Sequence, residues 1–240
     1  MNCRAVLTLV LTAVSLAAAI NPVTARPRDP ESEAPRRPIV VRVYNTARVS
    51  SDTLRAAETN AEYVFSRAGV RTQWIDCSAT TGPPVVSNIC HQPLSSAEVV
   101  VRLIRKADAP KTHFDGEVLG FASAVGSERG AYTTVFCDAV AAAESSESGL
   151  RLSLGHAIAH ELGHLFLRSN EHSTTGVMRA TWGQHDRLLA ASNRVLFLPE
   201  QKKRIQAEVR SRTGESAGAD ASRLPRTTEA EAALSIYRSP

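Results

Sequence analysis

His160, Glu161 and His164 are the residues of this 240-residue chain whose types and spacing most directly imply chemistry. In the run His160-Glu161-Leu162-Gly163-His164 the two imidazoles stand four residues apart. On an α-helix that spacing puts them on one face, one turn apart, so both can reach a single Zn²⁺ at about 2.0–2.1 Å. Glu161 lies off the line of the histidines but borders it, where a carboxylate reaches a water on the metal rather than the metal itself. That is the position of a general base. Zinc lowers the pKa of such a water to about 7; the carboxylate takes its proton, and the hydroxide attacks a carbonyl polarised by the metal. The proton then passes to the leaving amine. A pattern this short recurs by chance, so its setting matters. The stretch Leu150 to Leu167 is otherwise apolar nearly all round, as in a helix buried in the middle of a molecule. Burying two histidines and a glutamate there without partners is costly, and a bound metal removes that cost. A polar stripe satisfied by hydrogen bonds in the core is the alternative.

A catalytic zinc takes three protein ligands and keeps one position open. The chain continues Leu165, Phe166, Leu167, Arg168, Ser169, Asn170, Glu171, His172, Ser173, Thr174, Thr175, Gly176, Val177, Met178. Over His160 to Trp182 this resembles the metzincin metallopeptidases, particularly the matrixin type. In that family HExxHxxGxxH supplies three histidine ligands, a serine often follows the third, and a methionine turn lies beneath the metal. The family's glycine position is Leu167 here and its third-histidine position is Asn170, with His172 two residues late. A longer return loop can make the same approach, with Asn170 in a left-handed conformation replacing the glycine. The downstream His172-Ser173, Gly176 and Met178 keep the pattern, so His172 is assigned as third ligand, with Glu171 and His185 as rivals. Met178 carries over as the turn methionine. His156, one turn before His160, points poorly at the same metal and is read as a packing or supporting residue. Trp182 is either a pocket wall or an ordinary core residue.

The elements that must position these groups are legible in outline. Pro38–Tyr44 alternates as a strand, Ser50–Ala68 reads as an amphipathic helix ending at Gly69, and Val70–Ile75 reads as a second strand. A strand, a helix and a strand make a crossover unit, so the first two strands are expected to be parallel. Further strands are expected at Glu98–Arg105, Leu119–Val125 and Ala131–Cys137, with short connections that imply at least one antiparallel pair. Ala131–Phe136 resembles the family's edge strand, which pairs with an extended peptide substrate. Helices are expected at Asp186–Ala191 and Pro199–Arg212. The fold class is therefore α+β: a zincin-like, metzincin-like twisted mixed sheet of about five strands over a buried active-site helix, with a small helical C-terminal subdomain.

Composition sets the frame. Hydrophobic residues at 43% and charged residues at 22% are ordinary for a globular protein. A net charge of +4 with scattered arginines gives no nucleic-acid footprint. Residues 1–25 read as a signal peptide, with Arg4, the apolar run Ala5–Ile20 and small residues to Ala25. Residues 26–37 read as a proline-rich linker, 38–213 as the catalytic domain and 214–240 as a disordered tail. With Cys3 removed, Cys77, Cys90 and Cys137 remain; Cys77 and Cys90 bracket a turn-rich loop and are expected to pair, leaving Cys137 buried. The expectation is a secreted or periplasmic zinc endopeptidase, monomeric and without stable membrane association, acting on extended polypeptide. A silent zinc-binding protein of the same fold and a zinc hydrolase of a non-peptide amide are the rivals.

Overall fold

Ile39–Asn45 (β1) buries Ile39, Val41 and Val43 on one face, as the alternation of the sequence requires. The chain leaves β1 into the helix Ser51–Arg67 (α1), where the Ser50 hydroxyl accepts the Thr53 amide at 3.2 Å and so caps the start. It returns through Thr72–Asp76 (β2), which lies parallel to β1. Glu98–Ile104 (β3) flanks β1 on its other side, again parallel. Tyr132–Phe136 (β5) is parallel to β3, and Gly120–Ser123 (β4) is antiparallel to β5. The result is a five-stranded mixed sheet in the order β2-β1-β3-β5-β4. This computed structural model describes residues 34–78, 84–109, 118–123 and 130–215. The expected signal peptide, most of the linker and nearly all of the tail lie outside the described residues, as does the end of the strand expected at Leu119–Val125.

The arrangement is α+β. Helices occupy Pro84–His91 (α2), Cys137–Ala142 (α3), Glu147–Leu167 (α4), Gln184–Ala191 (α5) and Pro199–Arg212 (α6). Two of these, α2 and α3, were not expected: α2 falls inside the loop between Cys77 and Cys90, and α3 begins at Cys137 where the sequence reads as strand. In both places short apolar stretches carry no period long enough to separate helix from strand. A second correction concerns the sheet edge. The Ala131–Phe136 segment is internal, hydrogen-bonded on both sides, and β4 is the outer strand instead.

One face of the sheet, with Val41, Val43, Val99, Val101, Leu103 and Val135, forms a single core with α1 and α4. Leu154, Ile158, Leu162 and Leu165 of α4 are fully buried. Burial of each such side chain contributes roughly 1.5–3 kcal/mol relative to exposure. Phe65 of α1 meets Phe166 of α4 edge-on, with ring centroids 5.6 Å apart. The last helix, α6, closes the ends of the two core helices. Arg204 Nη2 donates to the Leu167 carbonyl at 2.6 Å, and Gln206 Nε2 donates to the Ala68 carbonyl at 2.7 Å. Both satisfy carbonyls that a helix end leaves open. Glu215 accepts the backbone amides of Arg36 and Arg37, each at 2.7 Å, which ties the two ends of the described domain together.

Cys77 and Cys90 form a disulfide with Cα atoms 5.6 Å apart, and Cys137 is free and buried. The Cys77 amide donates to the Val43 carbonyl and the Tyr44 hydroxyl to the Cys90 carbonyl, so the crosslink fastens α2 to the end of β1. Replacing both Cys77 and Cys90 by serine is expected to lower the unfolding free energy by about 3 kcal/mol, read in denaturant melts. Alkylation after unfolding without reductant should label the peptide that carries Cys137; label on Cys77 or Cys90 peptides would contradict the pairing.

Candidate metal centre

The helix α4 begins at Ser146, whose hydroxyl accepts the Gly149 amide at 3.1 Å, and runs six turns through the centre of the molecule. It packs against β4 and β5, carries His160, Glu161 and His164, and stops at Arg168, which adopts φ 50° and ψ 42°. The Ser169 amide then returns to the His164 carbonyl at 3.3 Å. Sequence reasoning placed the left-handed residue at Asn170. The helix instead continues through Leu167 and turns at Arg168, where Arg204 of α6 donates to the Leu167 carbonyl.

After this turn the chain doubles back beneath α4. His160 Nδ1–H donates to the Val177 carbonyl at 2.8 Å, and His164 Nδ1–H donates to the Ser169 carbonyl at 2.7 Å. A carbonyl only accepts, so both Nδ1 atoms carry the proton and both Nε2 atoms present a lone pair. Those two Nε2 atoms face each other 3.0 Å apart. Two opposed lone pairs repel unless a cation lies between their directions, and tetrahedral zinc would set such nitrogens about 3.3 Å apart. Burial holds His160 down to about 4 and also lowers His164, so neither ring is readily protonated to relieve the contact. The donor set thus fits a divalent metal.

His172 completes the group. Its ring centroid lies 5.2 Å from that of His160 and 5.0 Å from that of His164. One ligand atom from each of the three histidines lies within 4.8 Å of the others, and among the described residues no other His, Cys, Asp or Glu joins them. Glu171 and His185, the rivals for the third position, are exposed and outside the cluster. His156 is outside it as well. Its Nδ1 bonds the Leu152 carbonyl at 3.0 Å and its ring meets Trp182 edge-on at 5.0 Å. It therefore fastens α4 to the segment below instead of facing a metal.

Met178 is fully buried under the centre, and Gly163 is what admits it. A Cβ on Gly163 would lie 2.5 Å from the Met178 sulfur and 2.9 Å from the Phe197 ring. A glycine inside a buried helix signals a close approach of this kind.

Glu161 is 5% exposed. Desolvation pushes its carboxyl up to about 8, and its carboxylate makes no hydrogen bond among the described residues. The side chain lies against β4, with Gly120 beside it. Just before β4 the Leu119 carbonyl accepts the Phe136 amide at 2.8 Å, directly opposite in the extended register. Alternation along an antiparallel pair then turns the backbone N–H and C=O of Gly120 and Ala122 away from β5, toward the open edge. Glu161 therefore adjoins a strand edge that has no partner strand among the described residues.

Two outcomes are expected from these environments. In metal-free protein the folded state keeps the Glu161 proton between the unfolded value, about 4.5, and about 8. Stability contributed by this group is present below that window and is lost as pH rises through it. Glu161→Gln should therefore raise the melting temperature at pH 9 by roughly 5 °C or more and leave it nearly unchanged at pH 4; equal shifts at both pH values would refute the assignment. Arg168→Gly, relieving a left-handed conformation that disfavours a side chain, should add about 1 kcal/mol in denaturant melts.

No protein-family model and no curated protein sequence matches this chain. Among solved structures, the chain is similar to a zinc-dependent peptidase from Methanocorpusculum labreanum (strain Z). The identity is 14%, with 69% of this chain and 99% of that one covered and a TM-score of 0.46.

Proposed function

We propose that this chain is a zinc-dependent endopeptidase acting outside the cytoplasm on polypeptide in extended conformation. The observation that carries the reading is the convergence of His160, His164 and His172 beside the buried carboxylate of Glu161. Three histidines would hold the metal, and three protein ligands rather than four is the pattern of a catalytic zinc. When bound, zinc supplies a Lewis acid that polarises a carbonyl and acidifies a water.

The chain's own residues do the rest. The Val177 and Ser169 carbonyls fix the tautomer and orientation of His160 and His164. Glu161 accepts the proton of the attacking water and returns it to the nitrogen of the departing amine. Its apolar surroundings raise its basicity, which suits a group that must gain and then give up a proton. The outward amides and carbonyls of Gly120 and Ala122 offer hydrogen bonds to a peptide laid antiparallel or parallel along β4, which places a backbone carbonyl near Glu161. Pairing through backbone groups suits polypeptide better than an isolated amide. The Cys77–Cys90 disulfide and the apolar run Ala5–Ile20 support export to an oxidising compartment. No helix among the described residues is long and apolar enough to cross a membrane.

Metal analysis combined with digestion of a peptide library tests the proposal. The expected result is one zinc per chain and cleavage that falls by about 100-fold or more in Glu161→Gln with zinc retained. Zinc without cleavage in the parent protein would favour a silent zinc-binding protein, and absence of zinc would overturn the reading. His172→Ala should weaken zinc binding by more than the ~10–100-fold typical of losing an outer-shell partner.

A further inference from the structure

We propose that Gly120 is a positioning residue for Glu161: the missing side chain on β4 leaves the slot in which the Glu161 side chain lies. The role assigned to Glu161 rests on the function proposed above, whereas the slot itself is a matter of packing. A Cβ at position 120 would come within 2.9 Å of Glu161 Cγ, 2.9 Å of Glu161 Oε1 and 2.5 Å of the Thr134 carbonyl oxygen. Ordinary carbon contacts begin near 3.5 Å, so any side chain here collides with Glu161.

Glycine weakens a strand, because it packs nothing and loses more entropy on ordering than other residues. The backbone does not call for it here: the glycines with left-handed φ are Gly69, Gly176 and Gly214, and Gly120 is not among them. A close approach by another group is the remaining reason for a glycine in a buried strand position, and two groups make one here, the Thr134 carbonyl within the sheet and the Glu161 side chain from α4. The Glu161 carboxylate makes no hydrogen bond to the described residues, so what they offer to position it is packing. Gly120 also directs its own N–H and C=O to the open edge. The same residue therefore fixes the base and borders the backbone that would pair with a substrate, so their spacing is set by one strand position.

The test is a double-mutant cycle on the zinc-loaded full chain with Gly120→Ala, Glu161→Ala and the pair together. Thermal midpoint, zinc content, kcat and KM are read. Gly120→Ala should retain zinc and lower kcat about tenfold or more, with a smaller change in KM, since a base displaced by a fraction of an ångström misses its proton. It should also lower the midpoint, and that penalty should shrink by about 3 °C or more when Glu161 is already alanine. Additive midpoint shifts would overturn the proposal, because the slot would then not be occupied by Glu161. If Gly120→Ala alone does not fold, folding of the double variant supports the proposal. Failure of both overturns it, leaving the Thr134 carbonyl as the reason for glycine. Should the parent protein cleave no peptide, the functional reading fails while the thermal cycle still decides where Glu161 is held.

Discussion

Two imidazole lone pairs aimed at each other on the central helix α4 form the constraint on which this structure turns. His160 and His164 each spend their Nδ1 proton on a backbone carbonyl, and their Nε2 atoms meet at 3.0 Å. Without a cation the arrangement opposes like partial charges in a medium of low dielectric, where such repulsion is strongest. Protonating one ring would turn the contact into a hydrogen bond, but burial penalises the charge that step creates, with His160 held to about 4. A divalent cation satisfies both lone pairs at once, and His172 stands where it can add a third.

Much of the surrounding fold serves to keep that geometry rigid. Helix α4 is clasped by α1 through the Phe65–Phe166 contact, and its last turn is capped by Arg204 from α6. The strained turn at Arg168 sends the chain back under the helix, where Val177 orients His160 and Met178 fills the space left by Gly163. Strain of this kind persists only when its surroundings over-determine it. Here the turn is pinned on one side by the Arg204 cap and on the other by the Ser169–His164 hydrogen bonds. The three histidines are thereby drawn from one helix and one return loop, and Glu161 from the same helix facing the sheet.

Glu161 stands in a different relation to the structure from the histidines. They face the return loop below, whereas it faces the outer strand β4 across Gly120. Successive residues on a helix are about 100° apart, so neighbouring positions in the chain serve different partners. The carboxylate belongs to a side chain that is largely buried, is raised to about 8 and makes no hydrogen bond among the described residues, which makes its position depend on packing.

The chain by itself determined what depends on local order. The i, i+4 histidines with an intervening glutamate, the all-round apolar helix that carries them, the parallel β1–α1–β2 unit and the α+β class follow from side-chain period and capping residues, which neighbouring positions encode. The Cys77–Cys90 pairing was also accessible, because a short loop brings its own ends together. What only the tertiary structure decided are relations between segments far apart in sequence. That β4 and not Ala131–Phe136 forms the outer edge depends on strand pairing over non-local distances. The left-handed turn falls at Arg168 and not at Asn170, beside a Leu167 carbonyl whose hydrogen bond comes from a residue 37 positions away. The nearness of His172 to the pair, in preference to Glu171 or His185, depends on how the return loop packs beneath α4. The space beside Gly120 and Gly163 is taken by the Glu161 and Met178 side chains, a relation that no local pattern in the sequence reveals. Local period is a property of the chain, whereas a close approach is a property of two surfaces, and the second surface is known only once the chain has folded.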